Sequence, residues 1–164
     1  MKRELSCFYV KLEPYLRQWI IHESGGSEPV DFPRGSIERD LIVTGVTLKP
    51  KDESPDVLKD GLTAFYIHNQ RGHNPTSYIH MPRRIKEELK RLIKKRFDMK
   101  LMQDLLAPSN HGRQLSEIVE DWMEKNGIEC DEKNYNTVIK RFQRRREHYG
   151  LKFLKKQKKS KKNG

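Results

Sequence analysis

The stretch at 114–146, QLSEIVEDWMEKNGIECDEKNYNTVIKRFQRRR, decides how the C-terminal half of the chain folds. Leu115, Ile118, Val119, Trp122 and Met123 recur at helical spacing, and Glu117, Glu120, Asp121 and Glu124 fall on the other side. The pattern predicts an amphipathic helix over 114–126, ended by Gly127, which adopts a left-handed conformation without cost. Asp131 stands where a second helix needs an N-cap. In that helix Tyr135, Val138, Ile139 and Phe142 lie within about 100° of one another on a helical wheel. They predict a core-facing stripe. Lys133, Asn136, Thr137, Lys140 and Arg144 fall opposite, flanked by Arg141, Gln143 and Glu147, while Arg145 and Arg146 mark the end of the stripe.

Helix, glycine-containing turn, then a helix with a polar and basic outward face is the plan of a helix-turn-helix. Asn, Thr, Lys and Arg are side chains that hydrogen-bond base edges and phosphates. Lys140, Arg141, Arg144 and Arg145 are the expected phosphate contacts, with Asn136 and Thr137 as base readers and Lys133 beside them. The turn GIECD is longer than in the tight form of the motif. The acidic face of the first helix cannot lie against phosphate.

Charge supports the same reading. The 164 residues carry a formal net charge of +11. Residues 131–164 hold 13 Lys/Arg against three Asp/Glu, a balance of +10, and the rest of the chain holds 21 against 20. A concentrated positive field is the footprint of a polyanion binder. The end, LKFLKKQKKSKKNG, has seven lysines in its last 13 residues, Lys155 and Lys156 among them. Such a tail buries nothing, and disorder is expected beyond about residue 152. Its lysines would supply affinity by releasing counterions from phosphate.

The first half reads as short strands and turns. ELSCFYVKL, YLRQWIIHE, LTAFYIHN and TSYIHM are strand candidates, and VDFP is a short extended piece that its prolines demote to an edge or a loop. SIERDLIVTGV offers Ser36 as N-cap of a short helix ending near Gly45, although Val43, Thr44 and Val46 also suit a strand, and residues 49–61 form a polar loop. Pro82 opens a further helix at a position where a missing N–H costs nothing. Its apolar stripe of Ile85, Leu89, Leu92 and Ile93 shifts to Phe97, Leu101, Met102, Leu105 and Leu106. That shift predicts a kink near Phe97–Asp98, or a helix packed on two different surfaces. The expected class is α+β: a small, mostly antiparallel sheet over 1–81, a helical region over 82–150 and a lysine-rich tail over 151–164.

No constellation for catalysis stands out. His68, His73 and His80 cluster in YIHNQRGHNPTSYIH, but the spacing suits a hairpin turn better than a His-Asn-His nuclease. Acidic residues at 52, 53 and 56 sit in a polar loop, and phosphate-binding glycine loops and nucleophile elbows are absent. Cys7 and Cys130 lack paired-ligand spacing and read as free thiols of a reducing cytoplasm. No metal or cofactor is expected. With no apolar run of membrane-spanning or signal-peptide length, no membrane partner is expected either. Trp19 and Trp122 read as core anchors. Tyr9, Phe65, Tyr66 and Tyr78 would stack bases if they shared an exposed sheet face.

SCFYVKLEPYLRQWIIHESGGSEPVDFPRGSIERD, WMEKNGIE and NYNTVIKRFQRRR resemble segments of small, basic, uncharacterised proteins encoded in bacterial mobile elements and prophages. The resemblance implies a bacterial, cytoplasmic, DNA-associated setting and assigns no site residues. The function expected is non-enzymatic DNA binding by a regulator or accessory factor, with nucleic acid, duplex DNA first, as the partner. The alternatives are an RNA or single-strand binder, or a protein-interaction module tethered by its basic tail.

Overall fold

The computed structural model describes residues 6–52, 59–68 and 77–162, with backbone alone over 151–162. Two strands and five α-helices follow in the order β1 (Cys7–Lys11), α1 (Pro14–Glu23), α2 (Ile37–Gly45), β2 (Leu62–Tyr66), α3 (Arg83–Leu105), α4 (Leu115–Lys125) and α5 (Glu132–Lys162). The class is α+β. Two compact units, Met1–Lys95 and Arg96–Gly164, divide inside α3. The first half of α3 buries Leu89 and Ile93, and the second half buries Phe97, Leu101, Met102 and Leu105. Of the two outcomes the shifted stripe allowed, the helix packed on two different surfaces is the one found: α3 runs on as one helix, and its two halves bury their apolar residues in different units.

In the first unit β1 and β2 pair antiparallel, with Phe8 opposite Phe65 and Tyr9 opposite Ala64. Alternation puts Phe8, Val10, Thr63 and Phe65 inside. Phe65 stacks between Phe8 and Phe32, with ring centroids 5.5 and 5.8 Å away. Val30 forms a single parallel bridge to Phe65 through Val30 N–H to Ala64 O (2.8 Å) and Tyr66 N–H to Val30 O (3.0 Å). Within VDFP, Val30 alone bridges to the ribbon, and the rest of the segment is a loop, so both outcomes its prolines allow are represented.

YLRQWIIHE, expected as a strand, is helix α1. Pro14 occupies its first turn, Tyr15, Leu16, Trp19 and Ile20 are buried at helical spacing, and Gly25 takes φ 104° just past its end. The aromatic and β-branched content suited a strand, but burial on one helical face outweighs that preference. α2 begins as expected, with Ser36 Oγ accepting from Arg39 N–H at 3.2 Å. TSYIHM is not a strand among the described residues. His80 makes one antiparallel bridge with Thr47, and the turn before it lies outside the described residues.

In the second unit, Phe97 and Trp122 meet edge to face at 5.5 Å, and Trp122 Nε1–H donates to Asp104 Oδ2 at 2.9 Å. Ile118, Val119, Met123, Ile128, Val138 and Phe142 complete the core. No described helix is long and apolar enough to cross a membrane.

Candidate nucleic-acid interface

The turn between α4 and α5 is closed at both ends. Gly127, at φ 70°, lets Ile128 N–H reach Met123 O (2.9 Å) and Gly127 N–H reach Glu124 O (3.2 Å). These two bonds form a Schellman ending, which satisfies carbonyls that the helix leaves over. Asp131 Oδ1 then accepts from Asn134 N–H at 2.7 Å, the N-cap expected of it. Asn134 is buried and donates from its side chain to Glu129 O at 2.9 Å. α4 and α5 pack on each other, so the cap and the buried amide together set where α5 begins.

The buried row of α5 is Asn134, Val138 and Phe142, with Tyr135, Ile139 and Arg141 half-buried beside it. This row is rotated slightly from the expected stripe, because Asn134 takes a core position by way of its hydrogen bonds. Opposite it Lys133, Asn136, Lys140, Gln143, Arg144 and Glu147 are exposed. Lys133, Asn136, Lys140 and Arg144 are four of the five residues expected on the outward polar face, and Gln143, expected at its flank, lies exposed with them. Thr137 is half-buried, and its hydroxyl donates to Lys133 O at 2.8 Å, so that hydroxyl proton is committed to its own helix.

The four arginines separate into two sets. Arg141 donates from Nε and Nη2 to the two oxygens of Asp98, each at 2.9 Å. Arg145 donates from Nε (3.0 Å) and Nη2 (2.6 Å) to Asp98 Oδ2. These two guanidiniums, expected as simple surface contacts, are tied to a buried carboxylate of α3. Arg144 is exposed, and the Arg146 guanidinium carbon lies 5.9 Å from the Phe142 ring centroid. Lys155 and Lys156 lie on α5, but their side chains fall outside the described residues. The backbone is helical through Lys162, where disorder was expected from about residue 152.

Asp98 was not singled out from the sequence. The available signal was its isolation: it is the only acidic residue between 89 and 103, directly after Phe97 on the shifted stripe. Tyr149, 55% exposed next to the arginines, was likewise not given a role.

The unit is electrically polarised. Residues 96–130 hold four Lys/Arg against seven Asp/Glu, while α5 holds 13 against two. On α4, Glu117, Glu120 and Glu124 are exposed, and Arg113 forms an ion pair with Asp121. That hydrogen bond from Arg113 holds the Asp121 carboxyl below its usual range. Partial burial raises the Cys130 thiol, with Glu120 and Asp131 adding to it, and burial raises Cys7. Both shifts favour the unreactive thiol over the thiolate nucleophile.

The other candidate features are placed as follows. His68 Nε2 lies 2.6 Å from Asp31 Oδ1, and His68 meets the Tyr66 ring edge to face at 4.4 Å. His73 lies outside the described residues, as do the acidic residues at 53 and 56. Among the described residues no group of three or more His, Cys, Asp or Glu is arranged to hold a metal ion. Phe65 is fully buried and Tyr78 is not on a strand, so only Tyr9 and Tyr66 share the outer face of the ribbon.

No protein-family model, curated protein or solved structure matches this chain significantly.

Proposed function

We propose that this chain is a non-enzymatic, cytoplasmic DNA-binding protein that applies α5 to the duplex as a regulator or accessory factor of a bacterial mobile element. The observation that carries the reading is the outward face of α5. Lys133, Asn136, Lys140, Gln143 and Arg144 project from one helix that continues into the lysine-rich end. A helix of 31 residues is about 46 Å long at 1.5 Å per residue. One turn of duplex rises only about 34 Å, and the major groove curves away over that distance. A straight helix of this length cannot stay in one groove, so its two halves do different work. The first half reads the groove, and the lysines that follow neutralise phosphates along its edge. The acidic face of α4 turns away from the DNA, and its repulsion restricts α5 to one orientation.

Binding to duplex DNA, single-stranded DNA and RNA across a salt series tests this reading. Full-length protein should prefer duplex. Deleting residues 151–164 should lower the salt slope by up to about 0.9 per lost lysine–phosphate contact. In the truncated protein, Lys140→Ala with Arg144→Ala should weaken binding further. If those substitutions change nothing and truncation abolishes binding, the basic end is only a tether. A larger loss from Tyr9→Ala and Tyr66→Ala than from Arg144→Ala, with single strands preferred, selects base stacking on the ribbon instead.

A further inference from the structure

The carboxylate of Asp98 is 6% exposed and faces two guanidiniums. Arg141 engages both oxygens, the bidentate geometry that fits a guanidinium to a carboxylate. Arg145 comes to Oδ2 alone, by its Nε and Nη2 edge. One carboxylate here meets two guanidiniums. Arg145 is the one that faces water, its side chain 47% exposed against 25% for Arg141. A guanidinium offers five N–H donors in one rigid plane. Two of those on Arg145 point at Asp98, and its Nη1 donates no hydrogen bond among the described residues.

We propose that Asp98 is a positioning residue for nucleic-acid phosphate: gripping one edge of Arg145, it presents the Nη1 edge outward to a phosphate oxygen. The proposal rests on the reading of α5 as the DNA-binding helix. A free arginine surrenders its rotamer freedom when it meets a phosphate, and one already held by a buried carboxylate has surrendered it on folding. Arginine alone suits the task. Its plane grips the carboxylate with one edge and the phosphate with another, while a lysine ammonium at the same place is a point charge on a flexible stem. Arg144, exposed and not held by Asp98, contributes charge without a preset direction.

Charge counting alone makes the opposite prediction for Asp98. Removing its carboxylate adds a positive charge and should tighten binding to any polyanion. A purely structural ion-pair cluster would alter stability and leave affinity unchanged.

The test is fluorescence anisotropy of full-length protein with a labelled duplex at several salt concentrations. Arg145→Lys keeps the net charge and leaves the Arg141 fork in place, so it decides the matter even where Asp98 variants fold poorly. Its affinity should fall about three- to tenfold at every salt concentration, the cost of ordering one long side chain at the moment of binding. Affinity within twofold of wild type overturns the proposal. Asp98→Asn, in preparations whose circular dichroism matches wild type, should bind more weakly despite its added charge. It should lose nothing further in an Arg145→Lys background. Tighter binding by Asp98→Asn overturns the proposal too. The Arg145 Nε–H resonance should shift on adding duplex to the wild type, which a purely structural cluster would not show. If wild type binds no duplex at all, the reading of α5 fails; if it binds and Arg145→Lys matches it, only the positioning role fails.

Discussion

Gly45 has no side chain, and Ile85 occupies the place where one would be. A Cβ built on Gly45 would sit 2.7 Å from Ile85 Cγ2 and 2.9 Å from Cγ1. Cγ2 is fixed by β-branching and has little room to retreat. Gly45→Ala should destabilise the protein by about 1–3 kcal/mol, the usual cost of overpacking. Urea unfolding measures this, and Ile85→Ala in the same chain should recover part of the loss. Arg113 and Asp121 offer a second test at this scale. A carboxyl held low in the folded state adds stability that is fully present above its unfolded value. That stability is lost as pH falls through the native value. The melting temperature of wild type should therefore exceed that of Arg113→Gln at neutral pH, and the gap should close in acid. The Asp121 carboxyl resonance should titrate at higher pH in the variant. Exposure of 38% and 48% for the two side chains keeps the gap small. Trp122 was legible from sequence as a core residue, because large aromatics on a helical stripe bury. Asp98 was not, because its partners lie 43 and 47 residues away.

At the scale of elements, what repeats locally was legible. α4 and the start of α5 follow from apolar spacing, from Gly127 and from Asp131, signals lying within a few residues of what they determine. α2 follows from Ser36 in the same way. α1 was misread although its punctuation was present: Pro14 opens it, Gly25 closes it, and the buried positions repeat every four residues. Trp19, Ile20 and Ile21 weigh towards a strand by composition alone, and the period settles it only once the core is known. The rotation of the buried row in α5 was hidden for a related reason. An asparagine enters a core only if its amide is satisfied, and the carbonyl of Glu129 that satisfies it lies before the helix begins. Beyond Gly150, lysines at 152 and 156, 155 and 159, and 158 and 162 stand four apart on the helical backbone. Each like-charged pair opposes helix by about 0.2–0.5 kcal/mol.

For the whole molecule, the division of charge was plain in the sequence, since net charge needs no fold to be counted. The division into units was not. The change from strand-like segments to a helix opened by Pro82 suggests one boundary in the sequence; compact units are assembled from distant residues, and they divide between Lys95 and Arg96, within α3. Compact units are more often joined by an exposed linker, where proteases cut first. Here the junction reads Lys94, Lys95, Arg96, three consecutive trypsin sites, yet each is held in continuous helix between the buried Ile93 and Phe97. A protease needs an extended chain in its cleft, and cutting at this point would require local unfolding that exposes both apolar neighbours. Brief trypsin treatment followed by mass spectrometry should therefore find these three bonds intact while other basic sites are nicked. Early cleavage after Lys95 would show that the helix opens there. A fragment begun at Arg96 would also carry amide protons stripped of their carbonyl acceptors in the preceding turn. The most basic junction in the chain is then the one least open to dissection.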